Sequence, residues 1–153
     1  MPKDTLSFDQ INIGDIYSAE PYSVSLDEMY RFNQDWDPLP IHLSEAAALA
    51  AGHKAIIASG QYTLCIKQYF MNRMPWREAV IGAIGFDELR FANPVHAGDI
   101  ISIAVTCIDR RLSKSKPDRG ICKFRVHMSN QEDAPVLTYT DIVMLKSHRD
   151  PDN

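Results

Sequence analysis

The chain has 153 residues, of which 45% are hydrophobic and 24% are charged, and its formal net charge is −4. This length and composition predict one globular domain over residues 1–153 and exclude a disordered or collagen-like chain. The mild acidity argues against nucleic-acid binding, which needs a basic face to displace counterions. Because the sequence has no long apolar run and no signal-peptide pattern, we expect a cytoplasmic protein without membrane attachment.

The sequence predicts helices in its first half and strands in its second. A capping-box pattern, Ser25-Leu-Asp-Glu28, opens a helix that must end before Pro38, since the residue preceding a proline avoids the helical conformation. A later, longer helix is apolar on most sides, which is typical of a helix buried within its own protein. In chain order, the predicted elements are a strand at 16–24 interrupted by Pro21, helices at 25–37, 44–51 and 59–74, and strands at 80–91, 100–108, 122–129 and 136–146.

This order of elements predicts an α+β fold, a single domain in which a curled antiparallel sheet is wrapped around a long central helix. Residues 122–129 support the sheet because apolar and polar side chains alternate along them, as in a half-buried strand. We place the folded core at about 15–147 and expect loose ends at 1–10 and 147–153.

The three cysteines, Cys65, Cys107 and Cys122, are odd in number and widely spaced, and each lies in an apolar stretch. A disulfide framework requires an even and denser set, and zinc or redox sites usually show a Cys-x-x-Cys spacing that is absent here. We therefore expect reduced cysteines that pack as small apolar residues in the core, and no metal site.

A short proline-rich segment, Asp37-Pro-Leu-Pro-Ile-His42, carries the first candidate chemistry. Its two prolines stiffen the chain and hold a carboxylate and an imidazole at a fixed separation. Aspartate and histidine are suited to dividing the roles of proton acceptor and proton donor near neutral pH. The alternative is structural: Asp37 caps a turn, and His42 bonds to it as part of a rigid corner.

The second candidate functional feature is the start of the predicted central helix, at Ser59-Gly60. Backbone N–H groups at a helix start are unsatisfied and lie at the positive end of the helix dipole, so they are able to stabilise an oxyanion. Gly60 permits close approach of a ligand to the backbone. The alternative is an ordinary glycine beside the N-cap Ser59. Ser59 is excluded as an elbow nucleophile because Ile57 stands where that motif requires glycine.

The segment from Asp37 to His42, followed by Ser44-Glu-Ala-Ala, resembles the hydratase motif of the MaoC-like dehydratase family, which includes (R)-specific enoyl-CoA hydratases. The resemblance covers about residues 15–147 and implies the hot-dog fold of that family. It is also carried by four later segments: Ile57-Ala-Ser-Gly60, Phe86-Asp-Glu-Leu-Arg-Phe91, Pro94-Val-His-Ala-Gly-Asp99 and Ser113-Lys-Ser-Lys-Pro-Asp-Arg-Gly120.

The resemblance implies an acyl-thioester hydro-lyase that adds water to a trans-2-enoyl thioester of coenzyme A or acyl carrier protein, or catalyses the reverse reaction. Asp37 and His42 are then the catalytic pair, and the Gly60 N–H is the oxyanion donor. Ser59 and Trp36, which lie next to these residues in the sequence, are predicted substrate contacts; the alternative for Trp36 is that it simply covers the second helix. No cofactor is implied, since coenzyme A enters only as part of the substrate. The family also implies a homodimer or a higher even assembly.

Two positions depart from the family pattern. Leu39 stands where the motif usually has asparagine, which removes a polar group beside the pair. Many of these hydratases carry a serine on the central helix that touches the aspartate, and Gln68 and Thr63 are the candidates for that position here. Both departures bear on activity more than on fold.

A basic run at 110–119 contains five cations and one acid. Lys114, Lys116 and Arg119 are assigned to the phosphates of coenzyme A, because charge-assisted contacts give affinity there. The alternative is a solvated hairpin tip whose lysines discourage edge-to-edge aggregation.

Two other functions are compatible with the sequence. A hot-dog thioesterase uses a carboxylate to activate water against the thioester carbonyl and needs no histidine. A non-catalytic acyl-CoA binding or sensing domain shows affinity without turnover. Hydration removes the conjugated double bond, hydrolysis releases a thiol, and binding alone does neither, so simple assays separate the three.

Overall fold

The computed structural model describes residues 5–148. Its first half is a series of short elements around one longer helix, and its second half is a set of long strands. The strands are β1 Ile16–Tyr17, β2 Tyr22–Ser23, β3 Val80–Arg90, β4 Ile100–Leu112, β5 Arg119–Ser129 and β6 Pro135–Lys146; the helices are α1 Leu26–Trp36, α2 Pro40–Leu43, α3 Glu45–Ala50 and α4 Gly60–Met71, with 3₁₀ turns at Phe8–Gln10 and Arg77–Ala79.

The strands form an antiparallel sheet in the order β1-β4-β5-β6-β3, and β2 also pairs with β4. Helix α4 packs its buried face, which includes Tyr62, Ile66 and Phe70, into one hydrophobic core with residues of the sheet such as Phe124 and Tyr139. The predicted α+β architecture, an antiparallel sheet around a central helix, is therefore confirmed.

Several predicted boundaries are corrected. The first strand is reduced to β1 and β2, which flank the predicted interruption at Pro21. Helix α4 ends at Met71 rather than at 74, since Met74 and Trp76 leave the helix path to fill the core. A further one-turn helix, α2, replaces part of the predicted loop, because Pro40 at its first position is preorganised for a helix start.

The capping box predicted for α1 forms only in part. Ser25 Oγ accepts a hydrogen bond from the Glu28 backbone N–H. The Glu28 carboxylate accepts instead from the hydroxyls of Tyr22 and Tyr62, at 2.7 and 3.2 Å. Glu28 therefore ties α1 to α4 rather than closing its own helix.

The ends of the chain are more ordered than the sequence predicts. Phe8 and Ile11 are buried in the core, and the guanidinium of Arg110 lies 4.4 Å above the Phe8 ring. At the other end, the Ser147 hydroxyl bonds to the Asp9 carboxylate at 2.9 Å. The predicted loose ends are thus wrong for residues 5–10 and 147–148, because a large apolar side chain anchors the first segment. Residues 1–4 and 149–153 lie outside the described range.

The cysteines and the central helix give two further corrections. Cys107 and Cys122 are buried as predicted, and burial raises the pKa of the Cys122 thiol to about 12. Cys65 is exposed, because α4 buries one face and turns Cys65, Gln68 and Tyr69 to the surface. The prediction that α4 is buried on most sides is therefore wrong for this chain. All three thiols are free.

Candidate active site

The acid/base pair forms at the junction of α1 and α2. Asp37 is the residue that ends α1, and its non-helical backbone (φ −151°, ψ 70°) agrees with the proline after it, which disfavours the helical conformation. His42 lies on α2, and its Nε2 is 3.3 Å from Asp37 Oδ2. The imidazole is buried, whereas 27% of the Asp37 side chain is exposed. The pair therefore has a protected base and a carboxylate that reaches solvent.

The Ile57 carbonyl fixes the orientation of the imidazole. His42 Nδ1 is 2.9 Å from Ile57 O, and a carbonyl oxygen only accepts hydrogen bonds, so Nδ1 carries the hydrogen. In the neutral ring, Nε2 then presents a lone pair on the side of Asp37. A hydrogen-bonded backbone partner of this kind commonly selects the tautomer of a working histidine.

Ser59 lies beneath the pair as the N-cap of α4. Its hydroxyl donates to Asp37 Oδ2 at 2.7 Å, and Ser59 Oγ itself accepts from the Gln61 N–H at 3.1 Å. The serine that touches the aspartate is thus Ser59, not Gln68 or Thr63 as predicted. Ser59 is fully buried. Its contacts are therefore those of a residue that positions Asp37, not those of the substrate contact predicted from the sequence.

Asn33 joins the three segments of the site, and the sequence analysis missed it. Its Nδ2 donates to His42 O at 2.9 Å and to Ile57 O at 3.4 Å, and its Oδ1 accepts from Ser59 N at 3.1 Å. The side chain is 0% exposed. A usable signal was present: Asn33 lies four residues after the buried Met29, so a polar side chain falls on the apolar face of α1.

A cleft of about 350 Å³ opens beside the pair. Gly60 lies at the start of α4, and within residues 5–148 its N–H has no hydrogen-bond partner. The Phe91 ring covers this glycine: an added Cβ would lie 3.0 Å from its Cζ. The cleft is lined by His42, Ile57, Ala58, Gly60, Thr63, Phe91, Ala92, Asn93, Pro94 and Val95. Asp37, His42 and Gly60 are thus brought together as predicted.

The other predicted substrate residues lie elsewhere. Trp36 is 74% exposed and is not among the residues that line the cleft. Lys114 and Lys116 lie between β4 and β5, at the end of β4 remote from the cleft, which adjoins Val95 just before this strand. Strand β4, whose 13 residues span at most about 40 Å, runs between these lysines and the site. Arg119, at the same hairpin, pairs with Asp118 at 2.8 Å.

Neither a metal cluster nor a membrane-spanning helix is found in the described chain. Across residues 5–148, no group of three or more His, Cys, Asp or Glu side chains is placed to hold a metal ion. None of the helices in that range has both the length and the apolar character needed to cross a bilayer. The arrangement beside the cleft thus consists of an acid/base pair and a free helix N–H.

Similar proteins share this architecture. A MaoC-like dehydratase from Rhodospirillum rubrum superposes with a TM-score of 0.87 at 27% identity, covering 94% of this chain and 99% of that one. The (R)-hydratase of A. caviae involved in PHA biosynthesis superposes with a TM-score of 0.70 at 21% identity, covering 88% and 97%. The uncharacterised protein YdeM of Bacillus subtilis (strain 168) is 25% identical over 142 residues, 92% of this chain and 99% of YdeM.

The sheet, its central helix and these superpositions define a single hot-dog domain. The family profile described as "MaoC like domain" matches residues 10–123, most of the chain. The protein therefore belongs to the MaoC-like dehydratase family, as the sequence predicts.

Proposed function

We propose that the protein is an acyl-thioester hydro-lyase that adds water to a trans-2-enoyl thioester to give an (R)-3-hydroxyacyl thioester, or removes it in reverse. The observation that carries this proposal is the Asp37–His42 pair at 3.3 Å, beside a cleft that Gly60 also lines. Hydration needs a group that takes a proton from the water attacking C3, a group that delivers a proton to C2, and a hydrogen-bond donor at the thioester oxygen. The acyl carrier is coenzyme A or acyl carrier protein.

The pair positions and activates the water. A water beside the pair donates one hydrogen to His42 Nε2 and the other to the Asp37 carboxylate, since Nδ1–H is already committed to Ile57 O. Its oxygen bonds to C3 of the enoyl group as one proton passes to the pair. The pair then returns a proton to C2, so that the elements of H and OH are added and the protein is unchanged.

Gly60 stabilises the enolate that forms between these steps. As the C3–O bond forms, negative charge moves to the thioester oxygen, and the Gly60 N–H lies at the positive end of α4. A donor aimed at such an oxygen contributes about 3–4 kcal/mol to the transition state. Ser59 holds the Asp37 carboxylate in place while this happens, through the 2.7 Å hydrogen bond.

Two relatives support this reaction class. The A. caviae protein is an (R)-hydratase, and a further structural relative is a 3R-hydroxyacyl-ACP dehydratase complex from Mycobacterium tuberculosis. A hydratase and a dehydratase add and remove water, the two directions of the proposed reaction. Their identities to this chain, 21% and 19%, support the fold, so the reaction is inferred from the site.

We also propose that the protein works as a homodimer. Strand β3 is the edge of the sheet, and it exposes apolar side chains, including Val80, Ile81 and Ile84. An exposed apolar edge strand is a template for pairing with a second strand. Light scattering that gives twice the chain mass of 17.3 kDa supports the dimer, and a stable monomer refutes it.

The test follows the ultraviolet absorbance of the conjugated enoyl group in short and medium trans-2-enoyl-CoA substrates. Wild type is compared with Asp37→Asn and His42→Ala, and with Asp35→Asn as a control for a nearby carboxylate. We expect the rate to fall by about 100-fold or more in the first two variants only. Release of free thiol would identify a thioesterase instead, and unchanged absorbance at every chain length would refute hydration.

A further inference from the structure

A second cavity, of about 260 Å³, lies between α4 and strands β3 and β6. Its walls combine apolar and polar residues, and three charged side chains, those of Lys67, Arg77 and Asp141, line it. The remaining lining residues are Gln68, Met71, Asn72, Trp76, Val80, Ala83, Phe86 and Val143. Two cations and one carboxylate beside an apolar wall favour a ligand that joins an anionic group to an apolar chain.

Lys67 and Asp141 are both unusually buried for charged residues, with 6% and 5% of their surface exposed. Lys67 Nζ donates to Gln68 Oε1 at 3.1 Å and lies 4.6 Å above the Phe86 ring. No direct ion pair joins Lys67 to Asp141 in the described chain. The ammonium therefore retains hydrogens that no protein acceptor takes.

Asp141 Oδ1 is buried without a hydrogen-bond partner, and so is the hydroxyl of Tyr139. The two residues lie two positions apart on β6, so they share one face of the sheet. Buried polar atoms are nearly always paired. Asp141, unlike Tyr139, also lines the cavity, so a ligand there can supply the hydrogen-bond partner that its Oδ1 lacks. A polar ligand atom beside Asp141 would form this hydrogen bond.

The cavity lies along the same face of α4 as the candidate active site. Thr63 lines the cleft and Lys67 lines the cavity, one helical turn further on. Gly60 and Lys67 are two turns apart on that face, a rise of about 10 Å. An acyl chain lying along this face, with its thioester oxygen at Gly60, would reach the level of Lys67 after about 10 Å.

We propose that Lys67 and Asp141 bind a carboxylate at the far end of the acyl chain, so that the substrate is an enoyl thioester with a terminal carboxylate. This inference rests on the proposed hydratase function. The ammonium binds the carboxylate by charge-assisted hydrogen bonds, and a protonated Asp141 donates to its second oxygen. The apolar walls contact the methylene groups between the two ends.

The pKa of Asp141 is shifted in the direction that this arrangement requires. Burial raises the pKa of its carboxyl to about 6, and Lys67 opposes that shift. A ligand carboxylate brought beside it raises the pKa further, because two like charges disfavour ionisation. The charged groups that face Asp141 across the cavity are Lys67 on α4 and Arg77, which also pairs with Glu78.

The decisive experiment compares hydration of two trans-2-enoyl-CoA series of matched chain length, one ending in a methyl group and one in a carboxylate. We expect the carboxylate series to be preferred by wild type. Lys67→Met is expected to lower kcat/KM for that series by about 10- to 100-fold, mainly through KM, and to change the methyl series little. Lys54→Met, at an exposed lysine, is the matched control and leaves both series unchanged.

A binding measurement separates this proposal from the hydratase function. Calorimetry with free dicarboxylates, on wild type and on Lys67→Met, measures binding in the cavity independently of whether the protein hydrates an enoyl group. Hydration of the methyl series alone, without dicarboxylate binding, overturns the carboxylate site and leaves the hydratase standing. Lysine-dependent binding without hydration of either series supports the site and rejects the reaction. Equal losses for both series in Lys67→Met show a structural role and also overturn the proposal.

Discussion

Replacing Asn33 by alanine is expected to lower the free energy of unfolding by about 3–5 kcal/mol. The side chain makes the three hydrogen bonds described above, to His42, Ile57 and Ser59, and each contributes about 1 kcal/mol. The Ile57 carbonyl keeps its bond from His42 Nδ1. The His42 carbonyl and the Ser59 N–H lose a buried partner, which adds about 1 kcal/mol or more for each.

The assay is urea unfolding followed by circular dichroism, with Asn12→Ala, at an exposed asparagine, as the control. We expect the control to change the free energy of unfolding by less than about 0.5 kcal/mol. In Asn33→Ala the rate of the proposed hydration is also expected to fall, because the orientation of His42 depends on the same contacts. A loss of stability below about 1 kcal/mol would refute the view that Asn33 holds the three segments together.

Three other substitutions give sharp expectations. Gly120→Ala places a Cβ inside the buried ring of Phe8, so the free energy of unfolding should fall by about 1–3 kcal/mol or more in thermal or urea unfolding. Ser59→Ala removes the hydrogen bond to Asp37, so kcat should fall about tenfold with little change in KM. Asp141→Asn removes a carboxyl whose pKa is raised to about 6, so the variant should gain stability relative to wild type, by up to about 3 kcal/mol, as pH rises from 4 to 7.

Each of these has a control or an opposite outcome. Gly60→Ala brings a Cβ against the Phe91 ring, which is exposed and able to move, so the free energy of unfolding should fall much less than in Gly120→Ala. Equal losses in the two variants would contradict the packing argument. Ser59→Thr keeps the hydroxyl and should recover activity. For Asp141, the folded state binds more protons than the unfolded state between the two pKa values, so wild-type stability falls with rising pH in that window. A parallel pH profile for the variant would be the contrary result.

Local sequence signals were sufficient for most elements of the fold. The strands, the start of α1 at Ser25 and the start of α4 after Ser59 all follow from spacings of two to four residues. The sequence predicts that Asp37 and His42 lie together, because they are five positions apart and two of the residues between them are prolines. Such features depend on backbone conformations that neighbouring residues set, so they are visible in the chain itself.

The tertiary structure alone decided which distant side chains meet. Asn33 reaches Ser59 across 26 positions, and Lys67 on α4 faces Asp141 on β6 only through the packing of helix on sheet. The same packing sends Lys114 to the opposite end of β4 from the cleft. A shift of one residue in strand register turns every side chain to the other face. These pairings therefore depend on the register and orientation of whole elements, which no local pattern specifies.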